Sequence, residues 1–508
     1  MRIRRTAFAL ALLAGWPAHC LLAQQCPDGT APPCARAAAA APAPGANSVA
    51  VLYFDTRDTT DRYLVDGLTE EIILRLQQLP RLEVKSRYES QRVRREQLTT
   101  PAALGRTLGV RYLVIGTVQR AGERIVVRVE LTRADRAVGI WSERYEQTSG
   151  NVLDVIDAIA RGVATGVAGR LLPAEATDLA RRPTSDPRAY EEFLRGNFFL
   201  AQRTPAGLAR AVDAYEASTA RDPAFKPALA RAAYAYALGI YYGVGELPRD
   251  TVSARATRAV ARAMREAPDL SDTWVAQGWY LLITMLRGSG SDMPGARAAL
   301  ARGVQLDPRS PEAHHQFAWL LAMLAEDSLA ESEYRRALAL EPGRAVSFQE
   351  LSLLAMYRLR FADAARWADS AVAADPRFAL AYVNRALARL ALGDTAGATA
   401  DAAQALALGT GAIAGAAHAA HAVVLAAVGD TAAARSEAEV ALRAAAPSYL
   451  KLAPFAALGD RRRTLDVLEA LPSESARCAA TRWPNVAALR GDPRFDGLTA
   501  GCAAWRRP

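Results

Sequence analysis

The segment Asp307–Pro342, DPRSPEAHHQFAWLLAMLAEDSLAESEYRRALALEP, carries the pattern that decides the fold. It opens and closes on an acidic residue followed by proline, and a third such dipeptide, Asp375-Pro376, continues the series at a spacing of 34 residues. Proline ends a helix because it lacks a backbone N–H and clashes with the preceding turn. Between the dipeptides the apolar residues follow a helical period, so the sequence predicts repeated pairs of helices.

Small and aromatic residues recur at fixed places before each closing proline. They are Ala330, Tyr334 and Ala337 before Pro342, and Ala364 and Ala371 before Pro376. Small residues allow one helix to lie close to its partner, and the aromatic ring fills the remaining gap. The pattern resembles the tetratricopeptide (TPR) family. The resemblance predicts an all-α superhelical solenoid of about seven to eight helix pairs over residues 186–472, closed by a C-terminal cap at 473–508.

The TPR resemblance also implies a binding groove. In that family the first helix of each pair lines the concave surface of the solenoid. Counted from Pro311 and from Ala345, the inward positions are occupied by His315, Trp319, Met323, Gln349, Met356 and Tyr357. Aromatic and methionine side chains are typical anchors for a bound protein or peptide, and polar neighbours can hold its backbone. The alternative is that Trp319 and Tyr357 pack between helix pairs, since a register shift of one residue would bury them.

Residues 48–172 differ from the rest because their apolar periods are mixed. Val49–Phe54 is apolar on both faces, as in a central strand, and alternating residues at 110–116 and 125–131 flank a turn, as in a hairpin. A third strand at 140–145 and a helix with Val155, Ile159, Val163 and Val167 follow. The predicted fold is an α/β N-terminal domain with a mixed sheet, in the order β-α-β-α-β-β-β-α.

Four segments of this domain resemble the TolB N-terminal-like family. They are SVAVLYFD (48–55), YLVDGLTEEII (63–73), LGVRYLVIGTVQR (108–120) and WSERYEQ (141–147). Tyr53 departs from the family, which usually has a proline after the first strand. The resemblance implies contact with proteins at the cell envelope, or regulatory coupling, and it brings no catalytic residues.

The first 23 residues have the features of a secretory signal peptide. A basic start precedes an apolar run from Ala7 to Trp16, which is too short to span a bilayer, and small residues follow. Retention as an anchor, or a lipid on Cys20 or Cys26, is the competing interpretation. An Ala/Pro-rich linker follows at 24–47. We expect a periplasmic or secreted protein with no integral membrane segment after cleavage.

The cysteines support the same compartment. Removal of Cys20 leaves four of the five cysteines, and an even number in an oxidising compartment suggests disulfides. Proximity in sequence pairs Cys26 with Cys34, and Cys478 with Cys502. A zinc site is disfavoured, because no CxxC occurs and the histidines are distant in sequence.

Common catalytic motifs are missing from the sequence: there is no phosphate loop, no GxGxxG after a strand and no GxSxG elbow. Glu70-Glu71 is interpreted as a pair of first-turn acids, and the histidines at 314, 315, 418 and 421 as solvent-facing helix residues without further ligands. The net charge of +9 is spread among acids, with local clusters at 92–95 and 461–463, so a nucleic-acid partner is not expected. No cofactor and no metal are predicted.

Two functions of different classes remain. The leading hypothesis is a non-catalytic exported scaffold or adaptor that binds other proteins through both regions. The alternative is a regulatory or sensory module coupled to a separate kinase or adenylate cyclase. An unrecognised enzyme in the α/β domain is the weakest hypothesis.

Overall fold

The computed structural model describes residues 44–58, 62–95, 100–122, 124–148, 152–180, 182–290, 292–444 and 448–505. The predicted signal peptide, the Cys26–Cys34 pair and most of the linker lie outside the described residues. Residues 44–508 form one compact unit. It is mostly helical, with a small mixed sheet near its N-terminal end, as the sequence predicts. In the described part of the chain, no helix is both long and apolar enough to span a membrane.

Five strands form the sheet. They are β1 (Ser48–Val51), β2 (Glu83–Val84), β3 (Tyr112–Ala121), β4 (Arg124–Arg133) and β5 (Val138–Thr148). Their spatial order is β2-β1-β3-β4-β5. Strand β1 is parallel to both neighbours, whereas β3, β4 and β5 run antiparallel. Every residue of β1 is buried, which is why its sequence is apolar on both faces.

Five helices accompany the sheet. They are α1 (Arg62–Gln77), α2 (Arg87–Arg95), α3 (Pro101–Leu108), α4 (Val152–Ala168) and α5 (Pro173–Ala180). Helices α1 and α4 pack on one face through residues such as Leu68 and Ile159, and Val93 of α2 and Leu104 of α3 pack on the other. The sequence predicts one helical stretch where α2 and α3 stand. A second helix begins because Thr100 accepts a hydrogen bond from the Ala103 N–H and Pro101 occupies the first turn.

The remaining chain is a succession of helices. They are α6 (Pro187–Leu200), α7 (Pro205–Arg221), α8 (Lys226–Tyr242), α9 (Arg249–Glu266), α10 (Ser271–Leu286), α11 (Met293–Leu306), α12 (Pro311–Met323), α13 (Asp327–Leu340), α14 (Ala345–Tyr357), α15 (Phe361–Ala374), α16 (Ala379–Ala391), α17 (Thr395–Leu408), α18 (Ala412–Ala427), α19 (Thr431–Arg443), α20 (Ser448–Ala457) and α21 (Arg461–Glu469). Consecutive helices pack in pairs from α6/α7 to α20/α21.

The repeat pattern explains this stacking. Asp307, Glu341 and Asp375 cap the C-termini of α11, α13 and α15, the second helices of three successive pairs. The alanines of the pattern and Tyr334 are fully buried between helices. The first helices α8, α10, α12, α14, α16, α18 and α20 also contact one another in order. They form one layer, which we call the inner layer.

The sheet region is joined to the solenoid by a shared core. Helix α1 packs against α6, and Tyr190, Leu194 and Phe225 belong to the same apolar cluster as the sheet residues. A side chain at Gly67 would place its Cβ 3.1 Å from the Cβ of Leu194. The close approach of α1 and α6 therefore depends on that glycine.

The C-terminal residues fold back onto the middle of the chain. Helices α22 (Glu474–Ala480) and α23 (Pro493–Leu498) follow α21, with 3-10 turns at Pro484–Leu489 and Ala500–Trp505. Cys478 and Cys502, paired from the sequence, are within disulfide bonding distance. Ser473 donates a hydrogen bond to the Leu286 carbonyl over 3.2 Å, and Arg482 pairs with Asp327 over 2.6 Å. Helix α18 also contacts α8, so the first helix of the inner layer is in contact with the last but one.

Candidate binding cavity

A cavity of about 40 Å³ lies on the inner layer. Residues of α8, α10, α12, α14 and α16 line it, together with Arg203, which follows α6. The lining side chains are Arg203, Tyr241, Tyr242, Trp279, His315, Gln316, Trp319, Ala322, Met323, Val346, Gln349, Glu350, Leu353, Tyr357 and Leu380. A single water needs about 10–15 Å³ of such space, so the cavity has room for a few waters or one small chemical group. A peptide backbone would need a wider opening.

Five of the six side chains predicted for the groove line this cavity: His315, Trp319, Met323, Gln349 and Tyr357. The prediction for Met356 is wrong. Met356 is 2% exposed and packs in the apolar core of the C-terminal half. Adjacent residues of a helix point about 100° apart, so Met356 turns away where Tyr357 faces the cavity.

Aromatic rings make up much of the cavity wall. The Trp279 and Trp319 rings meet edge to face with centroids 5.0 Å apart, and Tyr241 and Tyr242 do so at 4.8 Å. The Tyr357 ring contacts Trp483 from the C-terminal segment at 6.4 Å. Trp319 and Tyr357 are half-buried. Both rings therefore pack against neighbouring helices and also line the cavity. The sequence had offered these two roles, packing between helix pairs and lining a groove, as alternatives.

Both polar residues predicted for the groove have a hydrogen-bond partner on the next inner helix. Nδ1 of His315 lies 3.0 Å from the Ser347 hydroxyl, and the Gln349 carbonyl accepts a hydrogen bond from Asn384. Burial, aided by the charge of Arg344, keeps the pKa of His315 well below its usual range. The neutral imidazole adds no charge to the cavity. The expectation of a solvent-facing helix histidine is wrong here, because His315 is 4% exposed.

A buried cluster of charges borders the cavity around Glu312. Its carboxylate accepts hydrogen bonds from Arg203 at 2.9 and 3.0 Å, from Arg344 at 2.5 Å and from the Tyr234 hydroxyl. Burial alone would raise the pKa of Glu312. Arg203 and Arg344 outweigh it and hold the pKa well below its usual value. Glu312 is thus a fully ionised and compensated carboxylate.

The same cluster continues to the sheet region. Arg344 donates to Glu341 over 2.6 Å, and Glu341 also accepts from Arg87 of α2 over 2.9 Å. Arg87 then donates to Glu70 of α1 over 2.7 Å. The hydroxyl of Tyr53 donates to Glu70 over 2.8 Å. A row of alternating acidic and basic side chains thus connects the segment after β1 with Glu312. Tyr53 contacts the first of these acids, Glu70.

Glu350 lines the cavity itself, and its environment differs from that of Glu312. The described residues place no arginine, lysine or histidine in an ion pair with it. The Trp319 indole donates a hydrogen bond to it. Burial raises the pKa of Glu350 to about 8, which the indole and the charge of Arg203 offset only in part. Glu350 is half-buried, and its exposed part faces the narrow cavity.

Sequence reasoning missed Glu312, Glu350 and Arg344. One signal was present for Glu350, because it is the only charged residue of α14, AVSFQELSLLAMY. Polar residues on such an apolar inner helix need a reason. No comparable signal marks Arg344, which stands in the turn before α14 and looks like an ordinary surface arginine.

Other residues singled out from the sequence have structural partners. Helix α1 begins at Arg62, so Glu70 and Glu71 are not first-turn acids as expected; they pair with Arg87 and Arg75. His314 is 6% exposed, contrary to expectation. Burial would lower the pKa of His314, but hydrogen bonds to Glu333 and the Pro308 carbonyl raise it.

The histidines of α18 also have a partner that the sequence did not predict. Glu437 of α19 faces both, with its carboxylate 2.5 Å from His418 Nδ1 and 3.6 Å from His421 Nδ1. The expectation that the repeat places no acid there is therefore wrong. Among the described residues no three His, Cys, Asp or Glu side chains are grouped as metal ligands would be.

Three arginines of the two clusters are paired with carboxylates. Arg94 pairs with Asp66, Arg461 with Asp492, and Arg463 with Glu439. Guanidinium groups already engaged with carboxylates are poorly suited to bind phosphates.

Comparisons with known proteins give one curated relative and several structural likenesses. No family model matches the chain. A putative adenylate cyclase 3 of Rhizobium meliloti (strain 1021) is 31% identical over 163 residues, which cover 31% of this chain and 27% of that protein. The chain thus spans about a quarter of the length of this relative.

Solved structures with similar helices include the APC/C assembly Cut9-Hcn1, with a TM-score of 0.45 and 14% identity over 69% of this chain and 63% of that one. PilF of Pseudomonas aeruginosa has a TM-score of 0.30 and 19% identity over 46% and 97%. A tetratricopeptide repeat protein of Parabacteroides merdae has a TM-score of 0.32 and 14% identity over 50% and 92%. Scores of this size carry no argument about function.

Proposed function

We propose that this protein is a non-catalytic exported scaffold that binds another protein at the inner layer of its solenoid. The carrying observation is the half-buried aromatic wall of the cavity, formed by Tyr241, Trp319 and Tyr357 from three different helix pairs. Aromatic side chains at a concave site, framed by polar groups, are the usual anchors of protein recognition. The sheet region, with its TolB N-terminal-like segments, serves as a second contact at the cell envelope.

The size of the cavity restricts how the partner binds. About 40 Å³ admits the end of one side chain and no more. The main contact area therefore has to come from the rim of the inner layer, with one group of the partner entering the cavity. The C-terminal fold-back borders this rim through Trp483 and Arg482, whose guanidinium carbon lies 4.5 Å from the Tyr357 ring centre.

The test is capture of a partner from a cell-envelope extract by the purified full-length chain. We expect Trp319→Ala and Tyr357→Ala each to abolish capture of a protein that the wild type retains. The matched control is Leu329→Ala on α13, a second helix, where the side chain is 54% exposed and away from the cavity. Unchanged melting temperatures must accompany the loss. Equal capture by all variants, or a large drop in melting temperature with the loss, would contradict the proposal.

A second candidate function is regulation of a separate kinase or adenylate cyclase. The stretch of 31% identity to a putative adenylate cyclase favours it. The same capture experiment separates the two functions. A captured kinase or cyclase whose turnover changes on addition of the chain indicates regulation, whereas a captured protein without such an activity indicates a scaffold.

A further inference from the structure

Two cavity-lining residues have a buried side-chain group without a hydrogen-bond partner in the described structure: the oxygen of Gln316 and the indole nitrogen of Trp279. Gln316 is 1% exposed, and its side-chain oxygen has no hydrogen-bond partner within the described structure. Its amide nitrogen donates to the Tyr234 hydroxyl over 2.7 Å and to Glu312 over 2.9 Å. Because Glu312 can only accept, the nitrogen has to stay on that side. The Gln316 oxygen is thereby left as a buried acceptor without a partner, in a residue that lines the cavity.

The cavity thus presents acceptors and aromatic rings together. Glu350 supplies a carboxylate without an ion pair, and Gln316 supplies a buried carbonyl oxygen. The rings of Trp279 and Trp319 line the cavity beside them, and the negative faces of aromatic rings attract cations. Leaving a buried acceptor unpaired costs stability, so its retention at a cavity wall is a reason to look for a ligand that donates hydrogen bonds.

The positive groups nearby do not oppose a cation strongly. Arg203 lines the cavity, but its guanidinium is paired with Glu312 at 2.9 Å. Arg482, which lies over the Tyr357 ring, is paired with Asp327 at 2.6 Å. His315 is neutral for the reason given above. Tyr241, Tyr242 and Tyr357 all have a raised pKa owing to burial, so they remain uncharged at neutral pH. Glu350 is therefore the one cavity group among these that changes its charge near neutral pH.

We propose that this cavity binds an alkylammonium group, in particular the side chain of a lysine from the bound protein. An ammonium is compact and has three donors, which the Glu350 carboxylate and the Gln316 oxygen can satisfy. A guanidinium has five donors in a wide planar fork, more than these acceptors can serve in about 40 Å³. The source of the group rests on the proposed function, whereas the cation site itself does not.

The test uses methylammonium chloride on the full-length protein, with methanol as an uncharged molecule of similar size and sodium chloride to match ionic strength. The protein carries ¹⁵N-labelled tryptophan, and Trp279→Phe and Trp319→Phe assign their indole signals. We expect both signals to shift with millimolar methylammonium and to stay in place with methanol. No shift, or an equal shift with methanol, would overturn the site.

Glu350→Gln keeps the shape and removes the charge. At pH 8.5, where the wild-type carboxylate is mostly ionised, we expect at least about tenfold weaker methylammonium binding, since an ion-to-carboxylate contact is lost at a site sheltered from water. Binding to the wild type should tighten roughly 25-fold from pH 6.5 to 8.5, because the cation selects the ionised carboxylate and a pKa of about 8 increases the ionised fraction by that factor. Glu350→Gln should show no such pH dependence. Equal affinity at pH 8.5 in a variant whose melting temperature is not lowered would contradict the role of Glu350.

The lysine source is tested with two peptides, acetyl-Gly-Lys-Gly-amide and the same peptide with norleucine. Shifts with the first alone support lysine as the source, and shifts with methylammonium but neither peptide overturn lysine and keep the cation site. If partner capture depends on Trp319 but methylammonium causes no shift, the proposed function stands and the cation site is rejected. If methylammonium causes the shift but no partner is captured, the cation site stands and the proposed function is rejected.

Discussion

Glu312 and Glu350 belong to neighbouring inner helices, yet they are held in opposite ways. Glu350 lines the cavity, whereas Glu312 lies behind it and bonds to the lining residues Arg203 and Gln316. Glu312 accepts from two arginines, a tyrosine and a glutamine, and its pKa lies well below the usual value. Glu350 accepts from one indole and has a pKa of about 8. A buried carboxylate with complete partners serves the fold, whereas one without an ion pair costs stability and is a candidate for binding.

Of the changes considered, removing an arginine partner of Glu312 should lower the stability of the protein most. We expect Arg344→Met to lower the free energy of unfolding by about 3–5 kcal/mol, because it deprives two buried carboxylates, Glu312 and Glu341, of an arginine. Chemical denaturation at pH 7 measures it. The double variant Arg344→Met with Glu312→Gln should recover part of the loss. A single variant as stable as the wild type would show that Arg203 alone compensates Glu312.

Removing the charge of Glu350 should act in the opposite direction and depend on pH. Its folded pKa is raised, so the folded state holds the proton more tightly and the wild type loses stability as pH rises from about 4.5 to about 8. Glu350→Gln should therefore match the wild type near pH 5 and exceed it by about 1–3 kcal/mol at pH 8.5. Melting curves across this range give the difference. A constant difference at every pH would mean that Glu350 does not titrate in this window.

The smallest effect is expected at a neutral partner of Glu312. Tyr234→Phe removes a hydroxyl that donates to Glu312 and accepts from Gln316. The loss should be about 1 kcal/mol, since both arginines and the amide of Gln316 remain on the carboxylate. Chemical denaturation of Tyr234→Phe and Arg344→Met under the same conditions compares how much each partner of Glu312 contributes to stability. If Tyr234→Phe costs as much as Arg344→Met, hydrogen bonding and not charge sets the state of Glu312.

The sequence predicts the parts of this molecule that depend on local period. The 34-residue spacing of acidic-proline dipeptides locates the ends of α11, α13 and α15, and helical counting brings five of six groove residues to one cavity. Met356 fails because a shift of one residue turns a side chain by 100°. The mixed sheet is also predicted in outline, whereas the break between α2 and α3 is missed although Thr100 and Pro101 mark it.

The charge cluster could not be predicted, because its members come from distant segments. Arg203 and Glu312 are 109 residues apart, and Arg87 and Glu341 are 254 apart. Nothing in either local sequence selects the other. Such pairs follow from the curvature of the helix stack, which depends on how every pair packs on the next. The lack of an ion-pair partner for Glu350 among the described residues is equally a property of the assembled stack.

The C-terminal fold-back changes how this solenoid should respond to stress. In an open stack each repeat touches only its neighbours, so the ends can fray while the middle stays folded. Here Arg482 bonds to the Ala322 carbonyl across 160 residues of chain, and Ser473 to Leu286 across 187. These contacts tie the C-terminal segment to α10 and α12, so the last helices cannot unfold without disturbing those two. Unfolding of the solenoid should therefore be more cooperative than in an open stack. Formation of these contacts should be a late and slow step in folding, because loops of this length have to close first.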